Sequence, residues 1–393
     1  MSIKKKENIL LVHNYYQIPG GEDTVVANEK KLLEEHGHNV VVYARSNNEI
    51  KEYSIIQKIA MPFTTIFNFG VYKEIKHLIS ENSIDIVHIH NTLNVISPAV
   101  YYAALRCKVP VVQTVHNFRL LCPGATFYRD GHICEDCITH GVSCAIKHSC
   151  YRGSRIQTLA CAVNTIIHRV SKVYNKISLV CLTEFTRQKM TKVYSKANMF
   201  IKPNFVYDAG GKHEPQDYYL FMGRIEEIKG VRLLVDAFAN MPDKKLKIAG
   251  TGVLDQELKH RIQDEKITNI ELLGFKSRNE INELLKHARA LIMCSQWYET
   301  FGMVIAEAYS NGTPVIVGDV GNIKDLVVEG SNGILFRYNS AEELQKAVAR
   351  FETMDIAELS RNAYAYYKEF LSPETNYQVL AKIYDAVQRK GKK

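Results

Sequence analysis

Four charged side chains in the C-terminal half, Arg224, Lys229, Glu299 and Glu307, have types and spacing that suit a phosphorylated, hydroxyl-rich ligand. The first two lie in Leu220-Phe221-Met222-Gly223-Arg224-Ile225-Glu226-Glu227-Ile228-Lys229-Gly230, directly after a strand pattern and before a helical one. Such a loop offers free backbone amides at the positive end of a helix dipole, and Arg224 and Lys229 add a planar fork and a point charge for a diphosphate. A solvated basic loop is the plain alternative. Glu299-Thr300-Phe301-Gly302-Met303-Val304-Ile305-Ala306-Glu307 follows a strand pattern ending at Cys294, with a helix starting near Phe301. Ionised carboxylates only accept hydrogen bonds. Glu299 in the loop therefore suits sugar hydroxyls, and Glu307, one to two turns into the helix, suits a ribose diol. The helix dipole alone also favours a glutamate near a helix start.

The frame that must position these residues is legible in the periodicity. Short β-branched runs alternate with longer amphipathic stretches, which predicts parallel sheets wrapped by helices. Strands are expected at Asn8 to His13, Val40 to Tyr43, Asp85 to Ile89, Val109 to Val115 and Ile177 to Leu182. A second set is expected at Tyr218 to Met222, Leu246 to Ala249, Ile270 to Leu273, Ala290 to Cys294 and Pro314 to Val317. The expectation is an α/β protein of two Rossmann-like, doubly wound domains facing an interdomain cleft. Their boundary falls in the Pro- and Gly-containing stretch from Lys202 to Pro215, giving domains at 1–203 and 204–371; a C-terminal helix, 372–393, crosses back to the first.

The 393 residues exceed what one core supports, and 46% apolar with 23% charged residues describes an ordinary globular chain without repeats. The polar, basic start from Met1 to Glu7 and the lack of a long apolar run predict a cytoplasmic protein. Its nine cysteines are then reduced thiols or metal ligands. Between His140 and Lys212 twelve lysines and arginines face only Glu184 and Asp208, a patch that suits a membrane surface, a nucleic acid or a lipid-linked pyrophosphate.

In the first half, Gly20 and Gly21 follow the first strand and allow close backbone approach, or make a plain tight turn. His116 stands at the carboxyl end of a strand, where it serves either structure or a sugar hydroxyl. His88 and His90 alternate on another strand and are weaker candidates. Cys134-Glu135-Asp136-Cys137 has zinc-knuckle spacing, and Cys122 and Cys150 complete a tetrahedral set, with Cys144 or His148 as substitutes; free or redox thiols are the alternative. Ile156, Leu159, Ala160, Val163, Ile166, Ile167, Val170 and Val173 recur at helical spacing among basic residues, either as an ordinary core helix or as one lying on anionic lipid.

The Gly223-Arg224 to Lys229-Gly230 segment with the Glu299 and Glu307 pair resembles the retaining GT-B glycosyltransferases of family 4. The similarity continues through Asn311-Gly312-Thr313-Pro314-Val315-Ile316 and Asn332-Gly333-Ile334-Leu335. The resemblance implies that Arg224 and Lys229 bind the donor diphosphate, Glu299 the transferred sugar and Glu307 the ribose, with Gly223, Phe301 and Gly302 in the same donor site. It also implies that backbone near Gly274 and Phe275 reads the base, that Gly20 and Gly21 face the phosphates from the opposing domain, and that His116 is functional. No cofactor is needed for catalysis: the leaving phosphate itself helps deprotonate the acceptor. The chain departs from the family pattern at Gly321-Asn322-Ile323-Lys324-Asp325, where a second glycine and a glutamate are common, and this bears on sugar specificity.

The Cys-rich insert, about 122–150, resembles that of bacterial family members assembling capsular or exopolysaccharides. By resemblance the donor is a UDP-sugar first and GDP-mannose second, and the acceptor a lipid-linked oligosaccharide. The enzyme would then lie peripherally on the inner face of the plasma membrane and bind no nucleic acid. A nucleic-acid-binding zinc protein would leave Glu299 and Glu307 without purpose. A non-enzymatic nucleotide-sugar-binding protein and a nucleotide-sugar epimerase of the same architecture are the remaining alternatives.

Overall fold

The computed structural model describes residues 6–17 and 20–391; Met1 to Lys5, part of the basic start singled out above, and the last two residues of the expected C-terminal helix lie outside the described residues. The chain divides into two compact bodies. One comprises the described residues of Met1–Phe127, Glu135–Pro203 and Asn376–Lys393, and the other comprises Tyr128–Cys134 and Asn204–Thr375.

The first body is built on six parallel strands, β1 Asn8–Tyr15, β2 Asn39–Ser46, β3 Ile86–Ile89, β4 Val111–Val115, β5 Ser178–Cys181 and β6 Met199–Ile201, in the order β2-β1-β3-β4-β5-β6. Ile9, Leu10, Leu11 and Val12 of β1 are all fully buried, the continuous apolar run expected of a strand covered on both faces. The helix Gly21–Glu35 returns from β1 with Val25, Val26, Leu32 and Leu33 inward, and that spacing carries Glu29 inward with them. Residues Asn376, Tyr377 and Tyr384 of the helix Pro373–Gly391 pack in this body, against Lys202, His38 and His88 respectively.

The second body repeats the scheme with β7 Tyr219–Met222, β8 Leu246–Ala249, β9 Ile270–Gly274, β10 Leu291–Met293, β11 Val315–Gly318 and β12 Gly333–Phe336, all parallel, in the order β9-β8-β7-β10-β11-β12. The strand order reverses at β7, so the loops after β7 and β10 open side by side at the carboxyl edge, where α/β sheets bind ligands. One core of Phe221, Val231, Leu234, Phe238, Ile292 and Ile316, among others, holds sheet and helices together. β6 and β12 were absent from the expected strands. β6 has three residues, and Gly333 at the head of β12 reads as a breaker in sequence.

Candidate functional site

In the second body the loop after β7 is pressed against its neighbours by backbone contacts that exclude side chains. A Cβ on Gly250, which follows β8, would lie 1.8 Å from the Gly223 carbonyl oxygen. Gly230 sits at φ +71°, where a Cβ would lie 2.0 Å from the Cys294 carbonyl oxygen at the end of β10. Only glycine fits both places. The Gln296 amide donates to the Ile228 carbonyl at 2.8 Å, stitching the loop after β7 to the loop after β10.

This stitching brings Lys229 and Glu299 together. Lys229 Nζ lies 2.5 Å from Glu299 Oε1, and the same oxygen accepts from Ser295 Oγ at 2.8 Å and Trp297 Nε1 at 2.9 Å. The ammonium also lies 5.6 Å from the centre of the Trp297 ring. Burial pushes the Glu299 carboxyl up, but Lys229 and these donors outweigh it and hold the group below its ordinary value, ionised. The Asn322 side-chain amide donates to the Glu299 carbonyl, so the segment that departs from the family pattern helps to fix this glutamate.

Arg224 points differently: its guanidinium is half exposed and pairs with Glu226 at 2.9 Å. Glu307 is the fifth residue of the helix Met303–Ser310, which starts two residues later than expected, after Gly302 at φ +90°. Burial pushes the Glu307 carboxyl up to about 7, with the Arg278 charge opposing. Phe301 is buried, so backbone rather than its ring is available to a ligand, whereas Phe275 is 79% exposed beside Gly274, at φ +68°.

In the first body Gly20 precedes the helix Gly21–Glu35, and its amide donates to Asp23 Oδ2 at 3.0 Å while Asp23 Oδ1 holds His13 Nε2 at 2.8 Å. Burial, with Asp23 adding to it and Arg119 opposing, raises the adjacent Glu22 carboxyl well above the usual range. His116 follows β4 and lines a cavity with His90, Asn91, Gln113, Asn117 and Arg119. Its Nε2 lies 2.8 Å from His90 Nδ1. Behind His90, Glu29 and Lys202 form a fully buried ion pair at 2.8 Å. Ligating atoms of Glu29, His88 and His90 lie within 4.8 Å of one another, but the Lys202 ammonium already supplies the positive charge that a metal ion would bring. The sequence reading missed Glu29, Lys202 and Arg119. The inward helical register of Glu29 was the available signal.

The cysteines are all free thiols. Cys122 and Cys137 are buried and hydrogen-bonded to each other, and the amides of Gly124, Ala125 and Phe127 also point at the Cys122 sulfur. The contact with Cys137 and these amides bring the Cys122 thiol down to about 6 against the effect of burial. A Cβ on Gly124 would lie 3.4 Å from Cys150 Cβ and 3.7 Å from Cys122 Sγ, so these two cysteines flank one point. Cys134 falls with the second body.

The helix Arg155–Val170 is inverted relative to a core helix. Thr158, Cys161, Ala162, Thr165 and His168 face inward, while Ile156 and Val170 are 77% and 75% exposed. The helix Ile55–Ile66 packs beside it and exposes Ile55, Ile56, Ile59 and Phe63. The basic patch is partly spent inside the fold: Lys202 is buried, Arg169 donates to the Leu120 and Leu121 carbonyls, and Lys189 and Lys192 pair with Glu135. No helix among the described residues is long and apolar enough to cross a membrane.

Residues 207–370 match the family described as glycosyl transferases group 1, and residues 19–132 match glycosyltransferase family 4. The chain is a glycosyltransferase. It is 26% identical over 367 residues to an uncharacterized glycosyltransferase of Methanocaldococcus jannaschii, covering 92% of each chain. It is 25% identical over 351 residues to an uncharacterized 42.6 kDa protein in the cps region of Klebsiella pneumoniae, covering 81% of this chain and 87% of that one. Among solved structures, the glycosyltransferase is similar to the Anabaena HepE protein in complex with UDP, with a TM-score of 0.67 and 18% identity over 96% of this chain and all of that one. It is also similar to sucrose-phosphate synthase of Thermosynechococcus elongatus, with a TM-score of 0.71 and 15% identity over 98% of this chain and all of that one. The fold class is α/β, GT-B, with two Rossmann-like bodies.

Proposed function

We propose that this glycosyltransferase is a retaining enzyme that moves a sugar from a UDP-sugar to a lipid-linked saccharide at an anionic membrane surface, in surface-polysaccharide synthesis. The observation that carries the donor half is the grouping of Lys229, Glu299, Ser295 and Trp297 at the carboxyl edge of the second sheet. A cation there meets a diphosphate and an ionised carboxylate meets sugar hydroxyls. UDP and UDP-glucose bound to the similar HepE protein support UDP over GDP, and the relative in a cps region supports a polysaccharide product.

In the proposed reaction the bond from the sugar C1 to the phosphate oxygen breaks and leaves its electron pair on that oxygen. The acceptor hydroxyl oxygen bonds to C1 from the same face, and its proton passes to the departing phosphate. Lys229 and Arg224 stabilise the charge that accumulates on the diphosphate, and Glu307 accepts from the ribose hydroxyls. The inverted helix Arg155–Val170 and its neighbour Ile55–Ile66 support a lipid-facing acceptor. Their exposed apolar side chains stand beside exposed Lys58, Arg155, Lys172 and Lys176, the composition of a surface lying at the boundary of an anionic bilayer. Structural zinc at the Cys-rich segment is part of the proposal, and the thiols of Cys122, Cys137 and Cys150 with the inward-pointing amides fit a thiolate site.

The test is release of nucleoside diphosphate from a panel of UDP- and GDP-sugars, with and without a polyprenyl-diphosphate saccharide, together with the anomeric configuration of the product. The expected result is acceptor-dependent UDP release with retention. Tight donor binding without transfer to any such acceptor, or an inverted product, overturns the proposal.

A further inference from the structure

The buried acid beneath His116 has no place in the mechanism above, yet it is wired to that histidine. Glu29 Oε2 lies 2.8 Å from Lys202 Nζ, and Lys202 is held in turn by Asn376 Oδ1 at 3.1 Å. Glu29 Oε1 faces His88 Nδ1 at 2.9 Å and His90 Nε2 at 3.3 Å. His90 Nδ1 meets His116 Nε2 at 2.8 Å. The three imidazoles stack in series, with ring centres 4.7 Å apart for His88 and His90 and 5.1 Å for His90 and His116.

Hydrogen positions along this chain follow from what each group can do. Burial pushes the Glu29 carboxyl up, but the Lys202 ammonium, the largest opposing influence, holds it well below the ordinary range, so it is ionised and only accepts. His90 Nε2 stands 3.3 Å from that carboxylate outside hydrogen-bond geometry, and a bare nitrogen there would set lone pair against lone pair, so Nε2 carries the hydrogen. Burial brings the His90 imidazole down to about 4 despite Glu29, so the ring is neutral and has one N–H. His90 Nδ1 is therefore bare and accepts, which obliges His116 Nε2 to donate. Burial, reinforced by His90, lowers His116 as well, so its single hydrogen is committed to His90.

We propose that Glu29, acting through His90, locks His116 as the Nε2–H tautomer and so presents Nδ1 as a hydrogen-bond acceptor for a substrate hydroxyl. Glu29 and His90 are positioning residues, and His116 selects a group that donates at that point: a hydroxyl or amide N–H and not a carbonyl or carboxylate. A buried ion pair is a costly way to fix a tautomer, but it is one that stray protonation of the cavity cannot easily reverse. The functional part of the inference rests on the transferase reading; the tautomer does not.

The test is long-range proton–nitrogen correlation on the full chain labelled in histidine nitrogen, which reads the tautomer directly and without substrate. Expected in the wild type is a hydrogen on Nε2 of both His90 and His116; His116 protonated on Nδ1 overturns the lock. In Glu29→Gln the amide oxygen turns to Lys202 and its NH2 to the histidines, reversing the relay, so His116 moves to Nδ1–H. The expected activity change is a loss in kcat on the order of 10–100-fold with KM for the nucleotide sugar nearly unchanged. Should Glu29→Gln fail to fold, His90→Phe breaks the relay without disturbing the Lys202 ion pair, and a His116 spectrum identical to wild type in that variant overturns the proposal. A locked wild-type tautomer in a protein that transfers no sugar sinks the function and leaves the lock standing; normal transfer with the opposite tautomer does the reverse.

Discussion

Replacing Lys229 with methionine separates the two tasks of this side chain. In the fold it neutralises Glu299 across 2.5 Å, with the lysine side chain 20% and the glutamate side chain 10% exposed. Removing one partner of a fully buried pair costs about 3–5 kcal/mol. Here partial exposure screens the charge, and Ser295 and Trp297 still donate to the carboxylate, so about 2 kcal/mol is expected. For a body of this size that lowers the midpoint of thermal unfolding by roughly 4–8 °C. The sign with pH is fixed as well. Lys229 and the other donors depress the Glu299 pKa, so the pair's contribution is full above the ordinary carboxyl value and is lost as pH falls through the depressed one. Lys229→Met should therefore shrink the acid-side loss of stability. Adding Glu299→Gln removes the orphaned charge and should return about 1–2 kcal/mol as a coupling term. Catalysis should not return: the diphosphate has lost a charge-assisted contact, and kcat should stay down on the order of 10²–10³-fold in both variants. The assays are thermal denaturation across pH and UDP-release kinetics. Near-normal transfer by folded Lys229→Met, or no recovery of stability in the double variant, refutes the reasoning.

Three further outcomes follow from the same geometry. Burial pushes the Glu307 carboxyl up to about 7, and its ionised form is the better acceptor for the ribose hydroxyls of the proposed donor; donor affinity measured by calorimetry should rise as pH increases through 7, and Glu307→Gln should flatten that dependence. Substituting Ile55, Ile56, Ile59 and Phe63 with serine should abolish sedimentation with anionic liposomes at low salt while leaving donor binding unchanged, since these side chains are already exposed. Protein purified under reducing conditions should carry about one zinc ion per chain by elemental analysis, and Cys122→Ser or Cys150→Ser should release it, as expected for a structural thiolate site; a metal-free wild type would remove the zinc proposal.

What the sequence made legible was set by how local the signal is. Strands buried on both faces, such as β1 and β11, announce themselves as apolar runs, and β7 with the Gly-Arg turn after it is a contiguous motif. β6 is too short to stand out, and β12 hides behind Gly333. At the candidate site Lys229 and Glu299 could be named from their loops, but that one oxygen of Glu299 gathers Lys229, Ser295 and Trp297 depends on backbone stitching between two loops 70 residues apart. The Glu29 relay was invisible for a related reason. A glutamate on a helix ordinarily reads as solvated, and only the register of Val25, Val26, Leu32 and Leu33 betrays it. The helix Arg155–Val170 showed the right periodicity, but periodicity fixes a stripe and not which way it faces.

The Lys202, Glu29 and Asn376 knot carries a consequence for the order of events during synthesis. Asn376 follows Lys202 by 174 residues, and in that interval the Asn204–Thr375 part of the second body leaves the ribosome. Until Asn376, Tyr377 and Tyr384 arrive, Lys202 lacks its amide partner, His38 and His88 lack their tyrosines, and the first sheet waits with its polar centre uncapped. The first body, whose chain is begun earliest, is therefore completed last, after the bulk of the second has been synthesised.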